Sequence, residues 1–172
     1  DASLDFGSGE LSISVWFKIS ELSTVNSSYK LFVKGGDNTG GERIEIRLDN
    51  TGGVSFALDD DVAKMQVTTV RKDLLDGNWH HALGVRDNTD NRLYLYVDGI
   101  AAETSGLDIS TLGSISSSYG AYIGATTNDS DGVVSRQLNG LVDEVAIWNT
   151  ALSAAQAYAL YQSYATIVSQ DT

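Results

Sequence analysis

Residues 76–99 read DGNWHHALGVRDNTDNRLYLYVDG. Two runs, Trp79 to Arg86 and Arg92 to Val97, flank the polar segment Asp87 to Asn91. Each alternates in period two, which is the pattern of a strand with one face buried. The Asp98-Gly99 pair that follows is a strong two-residue turn signal, because both residues accept the positive φ such turns need. The stretch therefore predicts strand, turn, strand and hairpin, with the chain returning over Ile100 to Thr104.

The same alternation extends in both directions. Leu11, Ile13, Val15, Phe17 and Ile19 share one face of a run whose other face carries Ser12, Ser14, Trp16 and Lys18. Tyr29 to Lys34 is a second run. Glu42 to Leu48 alternates charge with Ile44, Ile46 and Leu48, and Val54 to Leu58 follows Gly52-Gly53. Met65 to Val70, Ala121 to Thr126 and Leu141 to Trp148 complete the set. Short strands separated by turns and not by helices imply an all-β sandwich. A single helix is expected near the end, with Ser153 as N-cap, Ala154 to Tyr164 as its body, and Leu160, Tyr161 and Tyr164 facing the sandwich. Ser105 to Ser118, rich in Ser and Gly, reads as a long loop.

The chain has 172 residues, which fits one domain with a real core. With no cysteine it has no disulfide scaffold, no Cys-ligated zinc and no thiol nucleophile. With no proline, its turns fall to 17 Gly and to Asn, Asp and Ser. A formal charge of −12 repels phosphate backbones, so no nucleic-acid partner is expected. No apolar run is long enough for membrane insertion. No basic-then-apolar leader opens the sequence, so a signal peptide is expected to be absent or already removed.

The quoted stretch resembles the central signature of laminin-G-like domains of the concanavalin A-like lectin/glucanase superfamily. Three further pieces match in order: SLDFGSGELSISVWFKI (Ser3 to Ile19), YIGA (Tyr122 to Ala125) and LNGLVDEVAIWNTALSAAQAYALY (Leu138 to Tyr161). The resemblance implies a two-sheet antiparallel jelly-roll sandwich with one short C-terminal helix. The expected organisation is a single domain over 1–165 and a tail over 166–172. Within it, Asp76-Gly77 forms a turn, Trp79 enters the core and His80-His81 alternate across the strand. Many members carry a further strand ahead of the opening pair. Here that strand is missing, and the expectation is that it has been trimmed, is replaced by residues 166–172, or is supplied by a neighbouring chain.

The resemblance also suggests a structural calcium at the Asp143-Glu144 pair, with Asp143 the better ligand of the two. Calcium takes several oxygen ligands. Asn128-Asp-Ser-Asp-Gly132 resembles half of a calcium loop, which makes Asp129 and Asp131 further candidates, but no acidic residue follows at its far end and a polar surface turn is the favoured reading. Asp59-Asp60-Asp61 is a carboxylate run in a loop, with Asp60 a candidate ligand contact. For sugar recognition the candidates are Tyr94 and Tyr96, which share a sheet face, grouped with Arg47 or Arg92, and Tyr119, which flanks a Gly with Tyr122. Trp16, Trp79 and Trp148 lie in alternating strands and read as core.

Catalysis finds no support in the sequence. Glycosidases of this superfamily carry a Glu-x-Asp-x-x-Glu strand motif, and the nearest stretch, Glu42 to Glu45, lacks its spacing. There is no nucleophile elbow, phosphate loop or dinucleotide fingerprint. The expected function is a non-catalytic carbohydrate-binding or adhesion module, extracellular or surface-exposed, with a glycan or polysaccharide as partner. The alternative is a structural subunit or decoration domain of a larger assembly, such as a viral or phage surface protein or an extracellular filament, whose partners are neighbouring protein subunits.

Overall fold

A computed structural model describes residues 4–22, 28–36, 42–127 and 132–168. The strands are β1 (Leu11–Lys18), β2 (Ser28–Gly35), β3 (Arg43–Asp49), β4 (Val54–Asp59), β5 (Lys64–Thr68), β6 (Trp79–Asp87) and β7 (Arg92–Val97). They continue with β8 (Ile100–Ala101), β9 (Leu107–Asp108), β10 (Ala121–Ile123), β11 (Thr126–Thr127), β12 (Val134–Ser135) and β13 (Leu141–Trp148), and helix α1 (Ala154–Val168) closes the chain. One antiparallel sheet runs β13-β1-β6-β7-β8, with β9 also pairing with β7. The second runs β10-β2-β3-β4-β5, and β11 with β12 forms a separate ribbon. The all-β antiparallel sandwich with one short helix is thus as expected from the alternation.

The alternating apolar residues do the work predicted of them. Leu11, Ile13, Val15 and Phe17 of β1 and Leu93, Leu95 and Val97 of β7 meet Ile44, Ile46, Leu48, Phe56 and Leu58 of the facing sheet, all inaccessible to solvent or nearly so. Burying side chains of this size contributes roughly 1.5–3 kcal/mol each. The sheets approach closely at Gly84 of β6, where a Cβ would stand 2.4 Å from the ring of Phe56. In β2 the register shifts between Lys30 and Phe32, so Leu31 and Phe32 both reach the core.

Turn chemistry sets the ends of the strands. The Asp98-Gly99 hairpin forms as expected, with φ of 52° and 74°, and joins Val97 to Ile100. Its return strand is only two residues long, shorter than the Ile100 to Thr104 expected. Asp49 Oδ1 accepts from the Thr51 and Gly53 amides at 2.8 and 2.9 Å and closes the β3–β4 turn. The long segment 105–118 is not wholly loop, since β9 docks there on the edge of β7.

The outer face of the first sheet is covered. Helix α1 lies over it, with Tyr161 stacked on Trp16 at 5.7 Å and Ala157 buried against Leu83, Val85 and Tyr96. Ser153 caps the helix as expected, accepting from the Gln156 amide at 3.4 Å, and Gln156 returns the bond to the Ser153 amide at 2.9 Å. The helix runs to Val168, past the Tyr164 and residue 165 limits drawn from sequence. Trp79 differs from its expectation. It pairs with Lys18, and therefore points outward with Lys18 and Trp16, only partly buried. Period two fixes which residues share a face, and the register decides that Trp79 lies on the outward one.

Candidate binding face

The second sheet turns its other face outward with a different chemistry. In β3 the residues alternating with Ile44, Ile46 and Leu48 are Arg43, Glu45, Arg47 and Asp49. Register extends this row by row. Tyr122, Val33, Glu45, Ala57 and Gln66 stand in one line across all five strands. Lys30, Arg47, Ser55 and Thr68 form the next line, and Arg43, Asp59 and Lys64 the line on the other side.

Glu45 is the hub of this face. It is fully buried although it points away from the core. Lys30, equally buried, donates to its Oε2, and Arg43 Nε lies 3.8 Å from the same oxygen. Arg47 Nη1 and Lys64 Nζ both donate to its Oε1, at 2.6 and 3.3 Å. Burial pushes the Glu45 carboxyl up, but the attraction of Lys30, Arg47 and Arg43 and the bond from Lys30 prevail and hold it at about 2. A carboxyl so held stays ionised and cannot lend a proton near neutrality.

Around the hub the polar groups are tied to one another. Arg47 Nη2 donates to Gln66 Oε1 at 2.7 Å, and Gln66 Nε2 donates to Thr68 Oγ1 at 2.9 Å. Ser55 and Thr68 hydroxyls meet at 2.8 Å. Arg43 also pairs with Asp59 at 3.3 Å. The outcome is a fixed array of guanidinium, ammonium, amide and hydroxyl groups, exposed along β5 at Lys64, Gln66 and Thr68, with the partly buried Tyr122 at its far edge. Such planar polar groups beside an aromatic ring can hydrogen-bond and stack on a polyhydroxylated ligand.

The sequence candidates are distributed differently from their expected grouping. Arg47 lies at the centre of this face. Tyr94 and Tyr96 stack at 6.2 Å on the outer face of the other sheet, so they do not stand beside Arg47. Tyr96 is buried under α1, and Tyr94 packs over Gly106. Tyr119 is 45% exposed, and its carbonyl accepts from Lys34 Nζ at 3.4 Å at the β2 edge of the second sheet. Asp60 shapes the β4–β5 turn. Its Oδ1 accepts from the Val62 and Ala63 amides at 2.9 and 2.6 Å, and its Oδ2 from the Gly113 amide. Lys30, Glu45 and Lys64 escaped the sequence reading. The signal that could have found them is the wholly charged face of Glu42 to Leu48, where each charge must meet whatever its neighbouring strands present.

Asp143 is exposed on the outer side of β13, and its Oδ1 accepts from the Glu144 amide at 2.8 Å. Glu144 has a φ of 49° at a bulge opposite β1, where the register shifts between Ser14 and Trp16. Asp129 and Asp131 lie outside the described residues. Among the described residues no three carboxylate or imidazole groups cluster as a metal site would need. The two histidines have separate roles. His80 stands between Asp98 (Nδ1 to Oδ2, 2.9 Å) and Asp76 (Nε2 to Oδ1, 3.1 Å). Burial works against its charge, but the two carboxylates hold its pKa above the usual value. His81 faces the opposite way, under Trp16 and Tyr161, and burial pushes it down to about 4.

A concavity of about 370 Å³ lies between Trp148, Leu152 and the α1 residues Gln156, Leu160 and Ser163. Its principal polar group, the Gln156 amide oxygen, is already committed to the helix cap. It offers less directed bonding than the charged face of the second sheet.

The fold is shared with several solved structures. The binding domain of Paraclostridial Mosquitocidal Protein 1 superposes with a TM-score of 0.73 at 17% identity, over 95% of this chain and 39% of that one. The chain thus spans about two fifths of that binding domain. The CBM40 of Ruminococcus gnavus IT-sialidase, solved bound to alpha2,3 sialyllactose, gives a TM-score of 0.66 at 15% identity, over 91% of this chain and 84% of that one. The heptameric SAP-like pentraxin of Limulus polyphemus gives 0.64 at 17% identity, over 90% and 70%. At these identities the similarity shows the fold alone. No curated protein sequence matches the chain. The family model Laminin_G_3 matches residues 1–157, nearly the whole length, and the chain belongs to that family of the concanavalin A-like lectin/glucanases superfamily.

Proposed function

We propose that this domain is a non-catalytic carbohydrate-binding module that takes its ligand on the outer face of the second sheet. The observation that carries the proposal is the ordered polar array built on Glu45, with Arg47, Lys64, Gln66, Ser55 and Thr68 fixed by mutual bonds. A pre-ordered face of this kind loses little entropy when a sugar replaces its water. The sialyllactose-bound relative supports a glycan as the class of ligand. No catalytic motif is found in the sequence, and Glu45 is buried and engaged by Lys30, Arg43, Arg47 and Lys64, which favours a structural part for it over a catalytic one. A secreted or surface setting accords with that role, and no helix among the described residues is long and apolar enough to cross a membrane.

Calcium enters the proposal only through Asp143 with Asp129 and Asp131. Asp143 offers one free oxygen beside the bond from Glu144, so the described residues do not complete a set of six to eight oxygens. Thermal unfolding with calcium and with EDTA checks this part on its own.

The test is saturable binding of the purified domain to a glycan and polysaccharide panel. Binding that is lost in Gln66→Ala with Thr68→Ala, two exposed positions whose removal leaves the core intact, supports the proposal. Binding that persists unchanged in that variant places the ligand elsewhere and overturns it.

A further inference from the structure

The chain has 11 Lys and Arg against 23 Asp and Glu, yet four of those cations, Lys30, Arg43, Arg47 and Lys64, meet at one carboxylate. Among the described residues, the acidic partners of this group are Glu45 and Asp59. Arg47 and Lys64 divide a single oxygen of Glu45 between them. Their two nitrogens are therefore no further apart than those two bonds laid end to end. Such a spacing suits one anionic group bridging both.

Both side chains have donors to spare. A guanidinium carries five N–H groups and an ammonium three. Arg47 spends one on Glu45 and one on Gln66, which leaves the second hydrogen of each terminal nitrogen. Glu45 and Gln66 fix the plane of its fork before any ligand arrives. Lys64 spends one on Glu45, and its side chain is 35% exposed. Beside them, the exposed Gln66 and Thr68 offer the amide and hydroxyl groups that neutral sugar positions need, with the buried Ser55 hydroxyl holding Thr68 in place.

We infer that the ligand of this face is an acidic glycan, its carboxylate or sulfate held jointly by Arg47 and Lys64. The inference rests on the carbohydrate reading above and adds the charge class. Charge-assisted bonds of this kind are about twice as strong as neutral ones, so the anionic group should account for roughly a tenfold gain in affinity. The diffuse negative field of the rest of the chain opposes such a ligand at long range, so selectivity must come from contact at these two residues.

The test uses the full chain and matched pairs of ligands, by titration calorimetry. Oligogalacturonate against its methyl ester, and sialyllactose against lactose, examine a carboxylate. A sulfated glycosaminoglycan oligosaccharide against its desulfated form examines a sulfate. The expected result is about tenfold tighter binding of the acidic member in at least one pair. That preference should fall away in Lys64→Met, which leaves Lys30 and Arg47 on Glu45, and in Arg47→Gln. Circular dichroism of both variants verifies folding. Equal binding of acidic and neutral members overturns the inference and leaves the carbohydrate reading standing. An acidic preference that survives in both folded variants overturns the assignment to these residues. No binding to any member overturns both.

Discussion

Replacing Glu45 by Gln keeps the shape of the side chain and removes its charge. The carboxyl is held at about 2 against an ordinary 4.5, and Glu45 is fully buried. At roughly 1.4 kcal/mol per pK unit, the folded state gains about 3 kcal/mol from this ionisation at pH 7. This is within the range of roughly 3–5 kcal/mol for breaking a buried ion pair. A depressed carboxyl stabilises above its unfolded pKa and loses that contribution as pH falls from 4.5 toward 2. The Glu45→Gln chain should therefore be less stable by about 3 kcal/mol at pH 7, and the gap should narrow to roughly half of that at pH 3. Urea unfolding at both pH values, followed by tryptophan fluorescence, measures it. A loss under about 1 kcal/mol at pH 7, or a gap that does not change with pH, would refute the reasoning.

Four further outcomes follow from the two histidines, Asp98 and the sheet contact. In an NMR titration His81 should have its midpoint near 4, and stability should drop by about 3 kcal/mol as pH falls from 6.5 through 4, because the unfolded chain takes the proton first. His80, raised by Asp98 and Asp76, contributes stability that is complete below 6.5 and lost as pH rises through its folded value. Asp98→Ala removes the acceptor of His80, Arg71 and the His81 amide, so it should lower the His80 midpoint and cost about 2–4 kcal/mol in chemical denaturation. Gly84→Ala, whose Cβ would sit 2.4 Å from the buried Phe56 ring, should cost about 2–3 kcal/mol, with part recovered by Phe56→Leu.

What was legible in the sequence was mostly local. Period two in β1, β3, β6 and β7, the Asp98-Gly99 hairpin and the Ser153 cap all depend on residues within a few positions of one another. The site depends on register. Lys30 and Glu45 lie 15 positions apart, and Lys64 and Glu45 lie 19 apart. Only the pairing of β2, β3, β4 and β5 brings them together, and the bulge at Leu31 shifts that pairing midway. A sandwich has two outward faces, and alternation cannot say which one a residue takes. That is why alternation groups Tyr94 and Tyr96 with Arg47, although their face lies under the helix and Arg47 stands on the outer face of the other sheet. Short strands such as β9 are too brief for any periodicity to register.

The most direct test of the central claim is to map a bound glycan on the domain by NMR. Amide shifts during titration with the tightest ligand of the panel should concentrate in β3, β4 and β5, around Arg47, Ser55 and Lys64 to Thr68. Shifts centred instead on the Trp148 and α1 concavity, or on Asp143 of β13, would contradict the assignment of the binding face to the second sheet.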